Sequence, residues 1–219
     1  MSKHLLRALL GVAMLAILAT IVALPAMADT TIYSQATDLN GSYASQNDAS
    51  GFGNFATAYD NFTLGADATI TSVNWVGNYF NPGLGSVTGF TLNIYSNAGG
   101  APGALLYSTG DVAGNANETS IGLDNAGNPT FTYTLGTNFL ASAGTEYWMS
   151  IESDMGFPPQ WGWETGTGGD GAAYQCFFGS CGSIPNDLAF SLAVPEPSSF
   201  LLLAGSLPAL ALRLRRKRQ

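Results

Sequence analysis

Thr130-Phe131-Thr132-Tyr133-Thr134-Leu135 alternates strictly between threonine and a large apolar side chain. Successive side chains of a strand point to opposite faces, so Phe131, Tyr133 and Leu135 share one face and the three threonines the other. Aromatic and β-branched residues suit such a half-buried pleated surface. The same phase recurs on both sides of this stretch. Val73, Trp75, Gly77 and Tyr79 alternate with Asn74, Val76 and Asn78, and Phe90, Leu92 and Ile94 alternate with Thr91, Asn93 and Tyr95. Tyr147, Met149 and Ile151 alternate with Glu146, Trp148, Ser150 and Glu152, and Leu188, Phe190, Leu192 and Val194 close the series. Turn-forming clusters separate these runs: Asn81-Pro82-Gly83, residues 97–103, residues 124–129 and Ser142-Ala143-Gly144-Thr145. The pattern predicts an all-β fold over residues 29–194, a single antiparallel β-sandwich or jelly roll.

Composition agrees. Residues 29–194 contain 25 of the 27 glycines and 24 aromatic side chains, with little of the Ala, Leu, Glu and Lys that cover helix surfaces. Charge narrows the chemistry further. The chain has 7 Lys+Arg and 15 Asp+Glu, but every base sits near an end, and the one histidine is His4. Residues 29–194 hold 14 acids (15 minus Glu196) and no Lys, Arg or His, a charge of −14. Phosphate neutralisation is therefore absent from this stretch, which excludes ordinary nucleic-acid binding. So is any mechanism that needs a histidine base, a lysine Schiff base or an arginine clamp.

The two ends read as targeting segments. Lys3, His4 and Arg7 precede an uncharged run from Ala8 to Leu24, then Pro25 and the small-x-small site Ala26-Met27-Ala28. This predicts a signal peptide over residues 1–28, cleaved after Ala28. A retained anchor is the alternative. At the other end, Pro195-Glu196-Pro197 is followed by a short apolar run over residues 198–212. Arg213, Arg215, Arg216, Lys217 and Arg218 then follow, around Leu214. The apolar run is about 22 Å long as a helix, a short transmembrane segment that snorkelling basic side chains extend. The basic cluster would stay cytoplasmic and leave the acidic domain outside.

This order of Pro-Glu-Pro, apolar run and Arg-rich end over residues 195–219 resembles the PEP-CTERM sorting tail of Gram-negative bacteria. The resemblance implies export, transient anchoring in the cytoplasmic membrane and processing near the motif by exosortase, a membrane-embedded cysteine protease. It further implies delivery to the cell surface, with frequent association with exopolysaccharide and biofilm. Pro195 and Pro197 suit recognition in a protease cleft, because they keep the backbone extended and remove two donors. Tyr59-Asp60-Asn61-Phe62-Thr63-Leu64, residues 94–103, residues 143–148 and Trp161-Gly162-Trp163 resemble, more loosely, extracellular β-sandwich domains carried by such proteins.

Inside the domain, Cys176 and Cys181 flank four residues, and in an exported chain an even pair reads as a disulfide. Too few ligands accompany them for zinc. Trp161 and Trp163, with Glu164 and the glycine-rich run that follows, form a candidate platform for sugar rings. Tryptophan's usual burial favours the alternative, that both indoles are core. No catalytic residue is assigned. Glu146 and Glu152 would share a face about 20 Å apart, too far for a glycosidase pair, and nothing selects Glu152 with Asp154, or Glu164 with Asp170. No cofactor is expected. Ca²⁺ is a side expectation at Asp124 with Asn125 and Asn128, or at Asp111 with Asn115 and Asn117, a solvated acidic surface being the competing reading. The sequence thus predicts a surface-sorted, non-enzymatic envelope or matrix protein. A carbohydrate-binding adhesin is the first alternative and a secreted glycosidase the second.

Overall fold

A computed structural model describes residues 29–81 and 84–195. The expected signal peptide with Ala26 and Ala28 lies outside the described residues. So do the tail positions Glu196, Pro197, Arg213, Arg215, Arg216, Lys217 and Arg218, and the expected membrane helix between them.

The alternating runs become strands, and no helix occurs among the described residues. In chain order they are β1 (Thr30–Ala44), β2 (Gln46–Asp48), β3 (Gly53–Thr63), β4 (Ala68–Phe80), β5 (Gly89–Asn97), β6 (Pro102–Ala113) and β7 (Thr119–Leu123). Then come β8 (Pro129–Ala141), β9 (Glu146–Asp154), β10 (Gln160–Thr167), β11 (Ala173–Phe177), β12 (Ser180–Ile184), β13 (Asp187–Leu188) and β14 (Phe190–Val194). They form two seven-stranded sheets packed as a sandwich. Sheet A runs β13-β10-β1-β14-β4-β8-β7 and sheet B runs β12-β11-β3-β2-β9-β5-β6.

The core follows the predicted phase. Val73, Trp75 and Tyr79 of β4, Phe90, Leu92 and Ile94 of β5, and Tyr133 and Leu135 of β8 are all buried. Tyr147, Met149 and Ile151 of β9 and Phe190 and Leu192 of β14 join them in one cluster between the sheets. Aromatic rings carry much of it. Trp75 stacks on Tyr133 with centroids 5.5 Å apart, and Phe90 meets Trp75, Tyr133 and Trp161 edge to face. Gly77 leaves space for this packing: a methyl group there would stand 2.3 Å from the Trp161 ring.

Both ends of the domain meet in sheet A. Thr30 of β1 pairs with Val194 of β14, and β14 lies between β1 and β4. β10 occupies the space between the other halves of those two strands, pairing Trp163 with both Tyr43 and Gly77. Ala189 joins them, donating its N–H to the Glu164 carbonyl and accepting from the Val76 N–H.

Candidate functional site

Trp161 and Trp163 sit on β10 and do share a face, but that face is the core. Both are fully buried. The Trp161 Nε1–H donates to the Tyr133 hydroxyl at 3.1 Å and the Trp163 Nε1–H to the Ala189 carbonyl at 2.9 Å. The burial agrees with the favoured core reading and corrects the candidate sugar platform at Trp161, Trp163 and Glu164, since interior indoles offer no ring face to a ligand. Glu164 points the other way and is equally covered. Its Oε1 accepts from Asn78 Nδ2 at 2.8 Å, the same amide donates to Asp124 Oδ2 at 2.8 Å, and Glu164 Oε2 has no partner. Burial, then the Asp124 charge, pushes the Glu164 carboxyl up to about 8. Asp170, weighed above as its partner, instead accepts from Asn61 of β3.

The Ca²⁺ expectation at Asp124 meets turn geometry. Asp124 Oδ1 accepts the backbone N–H groups of Ala126 and Asn128, and Oδ2 accepts Asn128 Nδ2. Both carboxylate oxygens are thus engaged by N–H donors of an Asx turn rather than turned outward as free ligands. Among the described residues no group of three or more His, Cys, Asp or Glu could hold a metal ion.

The cysteines do pair. Cys176 and Cys181 face each other across the β11–β12 hairpin with Sγ atoms 2.04 Å apart. Closing so small a loop stabilises by about 2 kcal/mol through the chain entropy it removes from the unfolded state. Replacing both cysteines by alanine should lower the melting temperature by about 4–8 °C. Thermal melts of the double variant with and without reductant check this. An unchanged melting temperature would show that the bond contributes nothing.

The outer face of sheet B carries a feature that strand alternation alone does not assemble. Outward positions of a sandwich are ordinarily polar, yet here they are aromatic on four adjacent strands. Tyr174 of β11 pairs with Tyr59 of β3, Tyr59 with Ser150 of β9, and Ser150 with Asn93 of β5. The next row holds Asn61, Trp148 and Tyr95. Tyr59 lies 5.5 Å from Tyr95 and 6.3 Å from Tyr174, and Trp148 lies 6.3 Å from Tyr174, all edge to face. The three tyrosines are half-buried. Trp148 is covered, its Nε1–H donating to Asn97 Oδ1.

Glu152 occupies the following position of β9 on this face and is only 7 % exposed. Burial raises its carboxyl to about 7, against the pull of Thr57, with the Asp154 charge adding to the rise. Burial also raises the Tyr59 hydroxyl to about 12 and lifts that of Tyr95, with Glu152 contributing to both. A carboxyl thus lies beside the tyrosine rings, with no cation in the domain to pair with it. Half-exposed rings next to a hydrogen-bonding carboxyl can hold a ligand that offers both apolar C–H faces and hydroxyl groups.

The outer face of sheet A differs. A groove of about 350 Å³ crosses it, lined by Ser34, Thr37, Asn74, Thr132, Thr134 and Ser191 among others. Ser34, Ser191, Asn74 and Thr134 lie in one row across β1, β14, β4 and β8. Its lining includes no acid, base or thiol.

No protein-family model matches this chain, and a search of curated proteins finds no match.

Proposed function

We propose that this chain is an exported, surface-sorted, non-enzymatic protein of the bacterial envelope or extracellular matrix. In this reading an exosortase-type protease processes it through the Pro195-Glu196-Pro197 tail, and it associates with exopolysaccharide. The supporting observation is where the fold ends. β14 closes at Val194, and Pro195 is the next residue, so the sandwich finishes where the sorting motif begins. A protease that needs extended backbone would engage the chain from Pro195 onward, past the last residue of β14. The disulfide suits an oxidising compartment.

The test is made in the producing cells. Glu196→Ala, and separately deletion of residues 213–218, should each leave a longer, membrane-retained precursor and remove most of the surface-exposed protein. Immunoblots of membrane, surface and medium fractions read this. Normal processing and surface delivery of both variants would overturn the sorting reading.

A further inference from the structure

We propose that the outer face of sheet B is a binding platform for neutral polysaccharide, held by the ring faces of Tyr59, Tyr95 and Tyr174 and by the Glu152 carboxyl. The proposal rests on the matrix reading above for where such a ligand is met, but its chemistry is independent of sorting.

Three features select the ligand. The first is the rings. Tyr59, Tyr95 and Tyr174 come from β3, β5 and β11, with β9 between β3 and β5. Four strands span about 14 Å at their usual spacing, room for a short run of sugar units along a polymer. Sugar rings present C–H groups that pack on aromatic faces, and tyrosine offers that face with a polar tip. The second is the polar groups between the rings. Glu152 and Asn93 stand on the same face as the tyrosines and supply acceptors and donors for hydroxyl groups, above Ser150, which is buried beneath the rings. Glu152 is nine-tenths buried, takes side-chain hydrogen bonds from Thr57 and Asn54 and has no basic partner, so its remaining acceptor capacity suits a neutral hydroxyl donor. The third is charge. The domain carries 14 acids and no base, so it repels polyanions, and an acidic polysaccharide or phosphate-bearing lipid is disfavoured at every approach.

The test uses the exported protein and native affinity electrophoresis. The gels contain laminarin, mannan, alginate, or the neutral or anionic fraction of the producing cells' own extracellular polysaccharide. The expected result is retardation by the cells' neutral fraction and little by alginate or the anionic fraction. Tyr59→Ala and Tyr95→Ala should each weaken retention at least tenfold, and Glu152→Gln less. All three should keep circular dichroism spectra and melting temperatures within a few degrees of the parent. Mobility unchanged in the neutral fraction would overturn the proposal, as would retention by that fraction which both tyrosine variants keep. Retention by the anionic fraction alone would overturn it too. Self-association that Tyr59→Ala abolishes, without glycan retention, would assign the face to a second copy and overturn it likewise. If glycan retention fails while surface delivery remains intact, this inference falls and the sorting reading stands. If delivery fails while retention persists, the reverse holds.

Discussion

The domain should melt about 10 °C higher at pH 5 than at pH 8. Burial raises Asp154 and, by the largest shifts, three further carboxyls: Asp60 and Glu164 to about 8 and Glu152 to about 7. In the unfolded chain all three titrate near 4. A group whose pKa is higher in the folded state binds its proton more tightly there. Its stabilising contribution is full below about 4 and is lost as pH rises through the folded value. The loss therefore falls between about pH 4 and pH 8 for all three. Every tenfold gain in proton affinity on folding corresponds to about 1.4 kcal/mol; discounted for relaxation of the buried sites, the three together come to several kcal/mol. At about 2–4 °C per kcal/mol for a domain of this size, the melting temperature moves by about 10 °C. Two acids set the lower bound. Asp38, despite some burial, is held low by hydrogen bonds from Thr165 and Asn40, and Asp48 is held low by Ser50 and the Phe52 N–H. Their contribution is present above about pH 4 and lost below it, so stability should peak between about pH 4 and 5. Glu164→Gln removes one titrating group and should flatten the slope between pH 5 and 8 by about a third. Thermal melts across pH at fixed ionic strength measure this. A melting temperature that rises from pH 5 to pH 8 would show these carboxyls to be ionised freely in the fold. Raising NaCl at pH 8 should recover only the part that comes from exposed acids, because buried groups are screened far less.

Trp161→Ala should destabilise the domain by about 3–5 kcal/mol, lowering the melting temperature by about 10 °C or more. Trp161 is fully buried, meets Phe90 and Tyr133 edge to face, and gives its N–H to the Tyr133 hydroxyl. Removal leaves a cavity at the centre of the aromatic cluster and takes the indole donor from the Tyr133 hydroxyl, which keeps only its own bond to Glu118. Trp161→Phe keeps much of the volume and should cost less than half as much. Gly77→Ala tests the same contact from the other side, because its methyl group meets the indole and the Gly162 carbonyl. Chemical and thermal denaturation read all three. A loss below 1 kcal/mol for Trp161→Ala would return the indole to the surface, where a sugar platform would need it.

The strands were legible because alternation is a local signal: Thr130 to Leu135 can be read without knowing any partner. What lay beyond reach was which outward positions are covered. Asn78 occupies an outward position of β4, yet it is buried, because the Asp124 turn and the 38–42 stretch of β1 close over it. The same cover buries Glu164, and neither part of it is near Glu164 in sequence. Trp161 and Trp163 illustrate the other direction. Their spacing places them on one face, but spacing does not say which face looks inward; that is decided by β10 pairing with β1 and β4. The tyrosine face was half visible. Tyr95 and Trp148 stand on the polar phase of β5 and β9, a signal for aromatics meant to face out. Tyr174 reaches Tyr59 only through a pairing of residues more than a hundred positions apart in the chain.

The position of β14 bears on how the protein carries force. It is the middle strand of the seven in sheet A, bonded on one side to β1 and on the other to β4. Any hold on the chain beyond Pro195 would load this strand through Val194. A pull along its axis loads both ladders in shear, so their hydrogen bonds resist together. An edge strand pulled at its end would instead unzip one bond at a time. A domain held by its tail would thus be gripped through its centre, and such tension would have to break two ladders at once before the sandwich opens.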